Sequence, residues 1–280
     1  MELPLVHILA ISTISLYLFS SVIYLWSAAT GRSLMKGAEL AASVAFVLHT
    51  ATFGLLMLRE QSFPLGGSGD FSFMISWGVS AVYIVYLLQY KRIKSSVLGA
   101  FVLPISAFVL ATSSYLVHLQ RSPFEGETNL WILVLHVVPA LLSEVSLVLL
   151  FVMSGVFLVQ ESRLKRLASG AFKATRLSLD AIDRLCRLFT VVGFVAMGVA
   201  VISGALWAIS NGESLATPDF VQWLALAVWV LFGLFLHLRT LSEWSSRRIS
   251  VFVLRSVGAL LAVFFVFTFF SDVNLVHERF

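Results

Sequence analysis

Long apolar runs, separated by short polar connections, recur along the whole chain. Each run has about 20 residues, the length that an α-helix needs to cross roughly 30 Å of hydrocarbon. The polar positions within the runs are few, so no strand-like alternation of apolar and polar residues appears. The pattern predicts eight transmembrane helices at about 4–28, 38–58, 71–90, 95–117, 129–160, 187–208, 219–240 and 249–271.

The composition agrees with this pattern. Of the 280 residues, 59% are apolar and only 12% are charged. A soluble domain has no interior large enough for so many apolar side chains. In hydrocarbon a helix satisfies its own backbone hydrogen bonds, which makes it the natural spanning element. We therefore predict an all-α integral membrane protein, with residues 1–280 forming a single polytopic domain.

Basic residues lie mostly in alternate connections. The connections of one side hold Arg32, Lys36, Lys91, Arg92, Lys94, Arg163, Lys165, Arg166, Lys173, Arg176, Arg184, Arg187, Arg239, Arg247, Arg248 and Arg255, and those of the other only Arg59, Arg121 and Arg279. The positive-inside rule makes the first side cytoplasmic, which places both termini outside. We expect a multi-pass protein of the cell's inner (plasma) membrane. Topology and anionic lipid explain the net charge of +4 without a nucleic acid.

The segment 161–187 is the longest polar stretch. Apolar residues recur in it at helical spacing, which predicts an amphipathic cytoplasmic helix on the inner membrane face, or the start of the sixth span. Asp180 and Arg184 are four residues apart and are predicted to pair. Cys186 is the only cysteine, so the chain forms no internal disulfide and has no C-x-x-C motif.

Four histidines fall in or beside the predicted spans at two depths. His49 and His237 lie deeper in the membrane, whereas His136 and His277 lie toward the outer surface. Ionisable residues inside a membrane are costly and often functional. Neutral imidazole is a good ligand for iron, and two imidazoles from different helices are able to hold a haem between them. Their wide separation in sequence suits a large flat ligand better than a small ion.

Glu144 is a further ionisable residue within a span, eight positions after His136 and therefore near the same helical face. Three roles fit it equally: orienting a ligand histidine, relaying protons, or a protonated structural carboxyl. The second of these would suit a transporter of another solute.

Four fragments near the C-terminal end carry a family resemblance: LDAIDRLCRLFTVVGF, ISGALWA, WVLFGLFLHLR and DVNLVH. In this order they resemble the cytochrome c assembly family, the CcsA, CcmC and HemX-like group of membrane haem-handling proteins. The clear resemblance covers residues 179–280, about a third of the chain. Upstream, HVVPALLSEVSLVLL is similar to the span of that family that starts with an external histidine.

The resemblance implies a set of haem ligands. His136 and His277 resemble the family's external pair, and His49 and His237 its pair within the membrane. It implies a non-covalent b-type haem, other cytochrome c biogenesis proteins as partners, and coordination rather than catalysis, so no enzyme. The family's tryptophan-rich outer motif is degraded: Asp219 keeps its aspartate, but Leu215–Pro218 replace the tryptophans before it. That departure favours the HemX-like branch.

Two functions follow from the resemblance. The first is binding and translocation of haem across the membrane for cytochrome c biogenesis. The alternative is a HemX-like membrane regulator of tetrapyrrole biosynthesis that acts on a cytoplasmic enzyme through segment 161–187.

Overall fold

The structure, a computed structural model, describes residues 3–30, 34–60, 68–89, 96–119, 130–167, 178–210, 212 and 220–277. In this part of the chain all regular structure is α-helical. The eight helices are α1 (Leu3–Thr30), α2 (Met35–Glu60), α3 (Ser68–Gln89), α4 (Ser96–Leu119), α5 (Leu130–Leu167), α6 (Leu179–Ser210), α7 (Phe220–Thr240) and α8 (Ser246–His277).

The predicted all-α membrane fold is confirmed, with one helix for each predicted span. Counting only described residues, α1, α2, α3, α5, α6 and α7 are long and apolar enough to cross a membrane, and α4 contributes the shorter apolar stretch Val97–Ser113. Outward-facing side chains such as Ile11, Val195 and Ile202 are apolar and exposed. A lipid environment removes the cost of exposing them. The placement of both termini outside stays a prediction.

The helix ends differ from the prediction on the side assigned to the cytoplasm. Helix α5 continues to Leu167, and α6 begins at Leu179, two turns before the predicted start of the sixth span. Residues 161–167 and 179–187 thus extend α5 and α6, while 168–177 lie outside the described residues. The expected ion pair is present: Arg184 Nη1 lies 3.0 Å from Asp180 Oδ2. Both side chains are exposed, so the pair contributes little to stability.

The helices pack in two groups. Helix α1 packs against α2 and α4, and α4 also packs against α3. In the second group α6 lies between α5 and α7, and α8 packs against α5. The α5–α6 contact is the most extensive in the protein, and α3 and α4 join the two groups through α5. This arrangement makes α6 the helix around which the C-terminal group is built.

Glycine permits close contact between α6 and α7. The ring of Phe232, fully buried on α7, lies directly on Gly193 of α6, where a Cβ atom would overlap it. Without a hydrophobic driving force between helices in lipid, such close packing is a main source of helix association.

We expect Gly193→Ala to destabilise the protein by about 1–3 kcal/mol, because the added methyl group overlaps the fully buried ring of Phe232. Gly54→Ala is the matched control. A Cβ at Gly54 meets nothing within 4 Å, so alanine there should be neutral or slightly stabilising. Unfolding of the purified protein in mixed micelles by a denaturing detergent measures both. Equal effects of the two substitutions would contradict this account of the α6–α7 contact.

Candidate functional site

His136 of α5 is held against the backbone of α6. Its Nδ1 atom lies 2.8 Å from the carbonyl oxygen of Ala200. A carbonyl oxygen only accepts hydrogen bonds, so the Nδ1–H group of His136 is the donor. The proton of the neutral ring is therefore on Nδ1, and Nε2 carries the lone pair. Metal-binding histidines commonly have this arrangement, in which one ring nitrogen donates to a carbonyl and the other is left for the metal.

Gly204 provides the space for this ring. A Cβ atom at position 204 would lie 2.8 Å from His136 Cε1 and 3.0 Å from Nδ1, closer than side-chain carbons normally approach. The Ser203 hydroxyl donates mainly within α6, to the Val199 carbonyl oxygen (2.7 Å), and also lies near the carbonyl oxygens of Ala200 (3.1 Å) and of Leu135 on α5 (3.3 Å). The ISGALWA segment thus forms a seat for His136, and the sequence alone did not reveal this role.

His49 of α2 is fully buried, with 0% of its surface exposed. The hydroxyl of Tyr17 lies 3.4 Å from its Nδ1, and the Phe73 ring packs edge-on against it with ring centroids 4.6 Å apart. Its Nε2 atom is buried and has no hydrogen-bond partner. A buried nitrogen without a partner is unfavourable, so a ligand for Nε2 would stabilise this site.

His237 is in a different environment. It lies in the last turn of α7, and its side chain is exposed. His49 is covered by aromatic rings, whereas His237 is exposed. Their helices also have different main neighbours, α1 and α3 for α2, but α6 and α8 for α7. The pairing of the two histidines stays a prediction.

The other predicted outer groups have no described side chains. The backbone of His277 ends α8, but its side chain lies outside the described residues, as does that of His118. Asp219 and Leu215–Pro218 also lie outside them. The proposed outer pair of His136 and His277 is consequently untested, although His136 itself is well placed to bind a ligand.

Glu144 lies two helical turns below His136 on α5, with a partly exposed side chain. Its neighbour Ser143 donates a hydrogen bond to the carbonyl of Gly193 on α6 (3.1 Å). The three predicted roles of Glu144 stay open.

Comparison with known proteins matches this chain to one family. The family model described as Cytochrome C assembly protein matches residues 68–275. His136 and His237 fall inside that range, His277 lies two residues beyond it, and His49 precedes it.

Individual relatives align with most of the chain. It is 25% identical over 230 residues to the cytochrome c biogenesis protein CcsA of Chlamydomonas reinhardtii, an alignment covering 80% of this chain and 62% of the relative. It is 24% identical over 285 residues to CcsA of Porphyra purpurea, covering 87% and 88%. Protein HemX of Bacillus subtilis (strain 168) is 24% identical over 201 residues, covering 72% of each chain.

The His136 seat predicts a specific coupling between two positions. Gly204→Ala should cost about 1–3 kcal/mol of stability, because the new methyl group overlaps the imidazole. In a His136→Gly background most of that cost should disappear, since the overlapping ring is absent. Detergent unfolding of the four proteins in this double-mutant cycle measures the coupling.

The matched cycle uses Gly54→Ala with His136→Gly, for which we expect no coupling because Gly54 lies on another helix in open space. If Gly204→Ala is equally costly with and without His136, the ring does not occupy the position described.

Proposed function

This chain belongs to the cytochrome c assembly protein family, and from that membership we propose that it binds haem in the inner (plasma) membrane and moves it outward for cytochrome c biogenesis. Cytochromes c are haem proteins, so their assembly requires haem on the side where they mature. We propose that the protein is of the HemX-like branch, because HemX is among its relatives and the tryptophan-rich motif is degraded. Other cytochrome c biogenesis proteins would be its partners.

The observation that carries the proposal is the tautomer of His136. Donation from Nδ1 to the Ala200 carbonyl leaves Nε2 as a ligand nitrogen, and the ring is fixed by Gly204. A ligand held in one orientation loses little entropy when the iron binds. In our proposal His136 would hold a non-covalent b-type haem at the outer side, with His277 from α8 as the second ligand.

His49 and His237 are our proposed ligands within the membrane. The buried Nε2 of His49 has no partner in the protein, which fits a ligand role. The exposed ring of His237 is open to a haem that arrives along the surface of α7. A haem shared by both rings requires the aromatic cover of His49, formed by Tyr17 and Phe73, to open. The proposal therefore includes a movement of α1 or α3 away from α2.

In this proposal the protein binds, orients and transfers haem without forming covalent bonds. When bound, haem would supply an iron centre that takes imidazole nitrogens as ligands. The chain supplies imidazoles at two depths and apolar surroundings for the porphyrin. Donation from His136 Nδ1 to the Ala200 carbonyl orients the ring so that Nε2 is the nitrogen left for the iron.

His136→Gly should lower the haem retained by the purified protein by at least about tenfold, because it removes an axial ligand. Added imidazole should restore part of the absorption, since it fits the space left by the side chain. Gly204→Ala should weaken retention by displacing the ring. The measurement is the absorption spectrum of the detergent-purified protein, with pyridine extraction to identify the porphyrin.

His7→Gly is the control, because His7 belongs to neither proposed pair. Corresponding glycine variants of His277, His49 and His237 test the remaining ligands separately. A haem spectrum that is the same in wild type and all four ligand variants would exclude haem ligation by these histidines.

The similarity to Protein HemX favours one alternative, regulation of tetrapyrrole biosynthesis through the cytoplasmic segment. The described ends of segment 161–187 expose charged side chains, among them Lys165, Asp180 and Arg184. A cytoplasmic enzyme would dock on these charges.

Deletion of the gene separates the two functions. Loss of mature cytochrome c with an unchanged level of the tetrapyrrole enzyme is expected for haem delivery. An altered enzyme level with normal cytochrome c would instead identify the regulator.

A further inference from the structure

A buried arginine at the inner end of α7 has donors that the protein does not use. The side chain of Arg239 is 2% exposed, and its Nη1 atom lies 2.8 Å from Asp183 Oδ1 on α6. Its Nε and Nη2 atoms are buried and have no hydrogen-bond partner. Buried charged donors normally have hydrogen-bond acceptors, so the unpartnered Nε and Nη2 groups of Arg239 require an explanation.

The geometry of the free edge is specific. Nε–H and Nη2–H lie side by side on one edge of the planar guanidinium and form a fork that matches two oxygens of a carboxylate or phosphate. Asp183 does not supply these oxygens. Its Oδ1 accepts from Arg239 Nη1, and its Oδ2 accepts from Arg187 Nη2 at 3.0 Å. The carboxylate is thus shared by two arginines, which leaves a net positive charge beside the fork.

The neighbouring helices add one further oxygen donor and one weak acceptor. Ser154 of α5 is fully buried, and its hydroxyl has no hydrogen-bond partner of standard geometry. Cys186 of α6, also buried, has its sulfur close to both Ser154 and Arg239. Sulfur is only a weak acceptor, so the donors of Ser154 and Arg239 still lack a strong one.

This region is separate from the outer histidine. On α6, Asp183 and Ala200 are about 25 Å apart at 1.5 Å per residue, so a haem bound to His136 does not reach Arg239. His237 is not part of it either. Positions two residues apart on a helix point to nearly opposite sides, and His237 is exposed where Arg239 is buried.

We propose that the Nε–Nη2 edge of Arg239, together with the Ser154 hydroxyl, is an inner binding site for an oxyanion. Two sources have this chemistry: the propionate of a porphyrin and the phosphate of an anionic phospholipid. The inference rests on the unsatisfied donors of this structure and stands independently of the haem ligands proposed above.

The test compares wild type with Arg239→Lys, which keeps a charge for Asp183 but lacks the fork. Arg184→Lys is the matched control, because Arg184 lies on α6 next to Asp183 but has an exposed side chain. One arm titrates the detergent-purified proteins with haemin and with haemin dimethyl ester, whose propionates carry no charge. The other arm measures phosphatidylglycerol retained after delipidation, by native mass spectrometry.

We expect wild type and Arg184→Lys to behave alike, and Arg239→Lys to differ from both in one arm. Either its preference for haemin over the dimethyl ester, or its retained phosphatidylglycerol, should be about tenfold lower. Loss of the haemin preference assigns the site to a porphyrin carboxylate, and loss of retained lipid assigns it to a headgroup phosphate. If wild type binds no haemin, the proposed haem function fails while the lipid arm still decides this site. Arg239→Lys behaving as wild type in both arms would overturn the inference.

Ser154→Ala keeps the test decisive if Arg239→Lys does not fold. This variant leaves the Arg239–Asp183 pair intact and removes one donor from the site. It should reduce the same preference severalfold, with an unchanged unfolding midpoint. An unchanged preference in a folded Ser154→Ala protein, with Arg239→Lys unfolded, would also count against the site.

Discussion

The close approach of neighbouring side chains to the backbone of α6 is the interaction on which the C-terminal half of this protein depends. At Gly193 the helix accepts the Phe232 ring of α7, and at Gly204 it accepts the imidazole of His136 from α5. Each contact needs the absence of a side chain on α6. In lipid, where burial of apolar surface gives no advantage over contact with acyl chains, such fitted contacts determine which helices are neighbours.

The same helix separates two chemically different regions. Near its inner end it carries Asp183, which binds a buried and an exposed arginine. Near its outer end its backbone carbonyl at Ala200 fixes the proton of His136. All charged side chains of α6 thus lie at the end that the basic residues assign to the cytoplasm.

The number and position of the helices could be predicted from hydropathy, because hydrocarbon allows few other ways to satisfy the backbone. The polar residues before the sixth span allowed two predictions, a surface helix or the start of that span, and α6 begins at Leu179 as the second one has it. The local pair Asp180–Arg184 could be predicted from its spacing, whereas the pair of Asp183 with Arg239, 56 residues away, could not.

The rotation of each helix about its own axis could not be predicted from the sequence. His49 and His237 look alike in sequence, each a single histidine in an apolar run, yet one is sealed and the other exposed. A helix that is apolar all round carries no signal for the face that packs inward. The depth of His136 could be estimated, but its tautomer depends on a carbonyl 64 residues away.

Helix α5 has 38 residues and is therefore about 57 Å long, almost twice the thickness of the hydrocarbon. Its outer part carries His136, and its far end projects as a rod whose Glu161 pairs with Lys165 and lies 3.8 Å from Arg247 of α8. One continuous helix thus joins the His136 contact with α6 at one end to the Glu161 contact with α8 at the other, so the two contacts share a single rigid element of secondary structure.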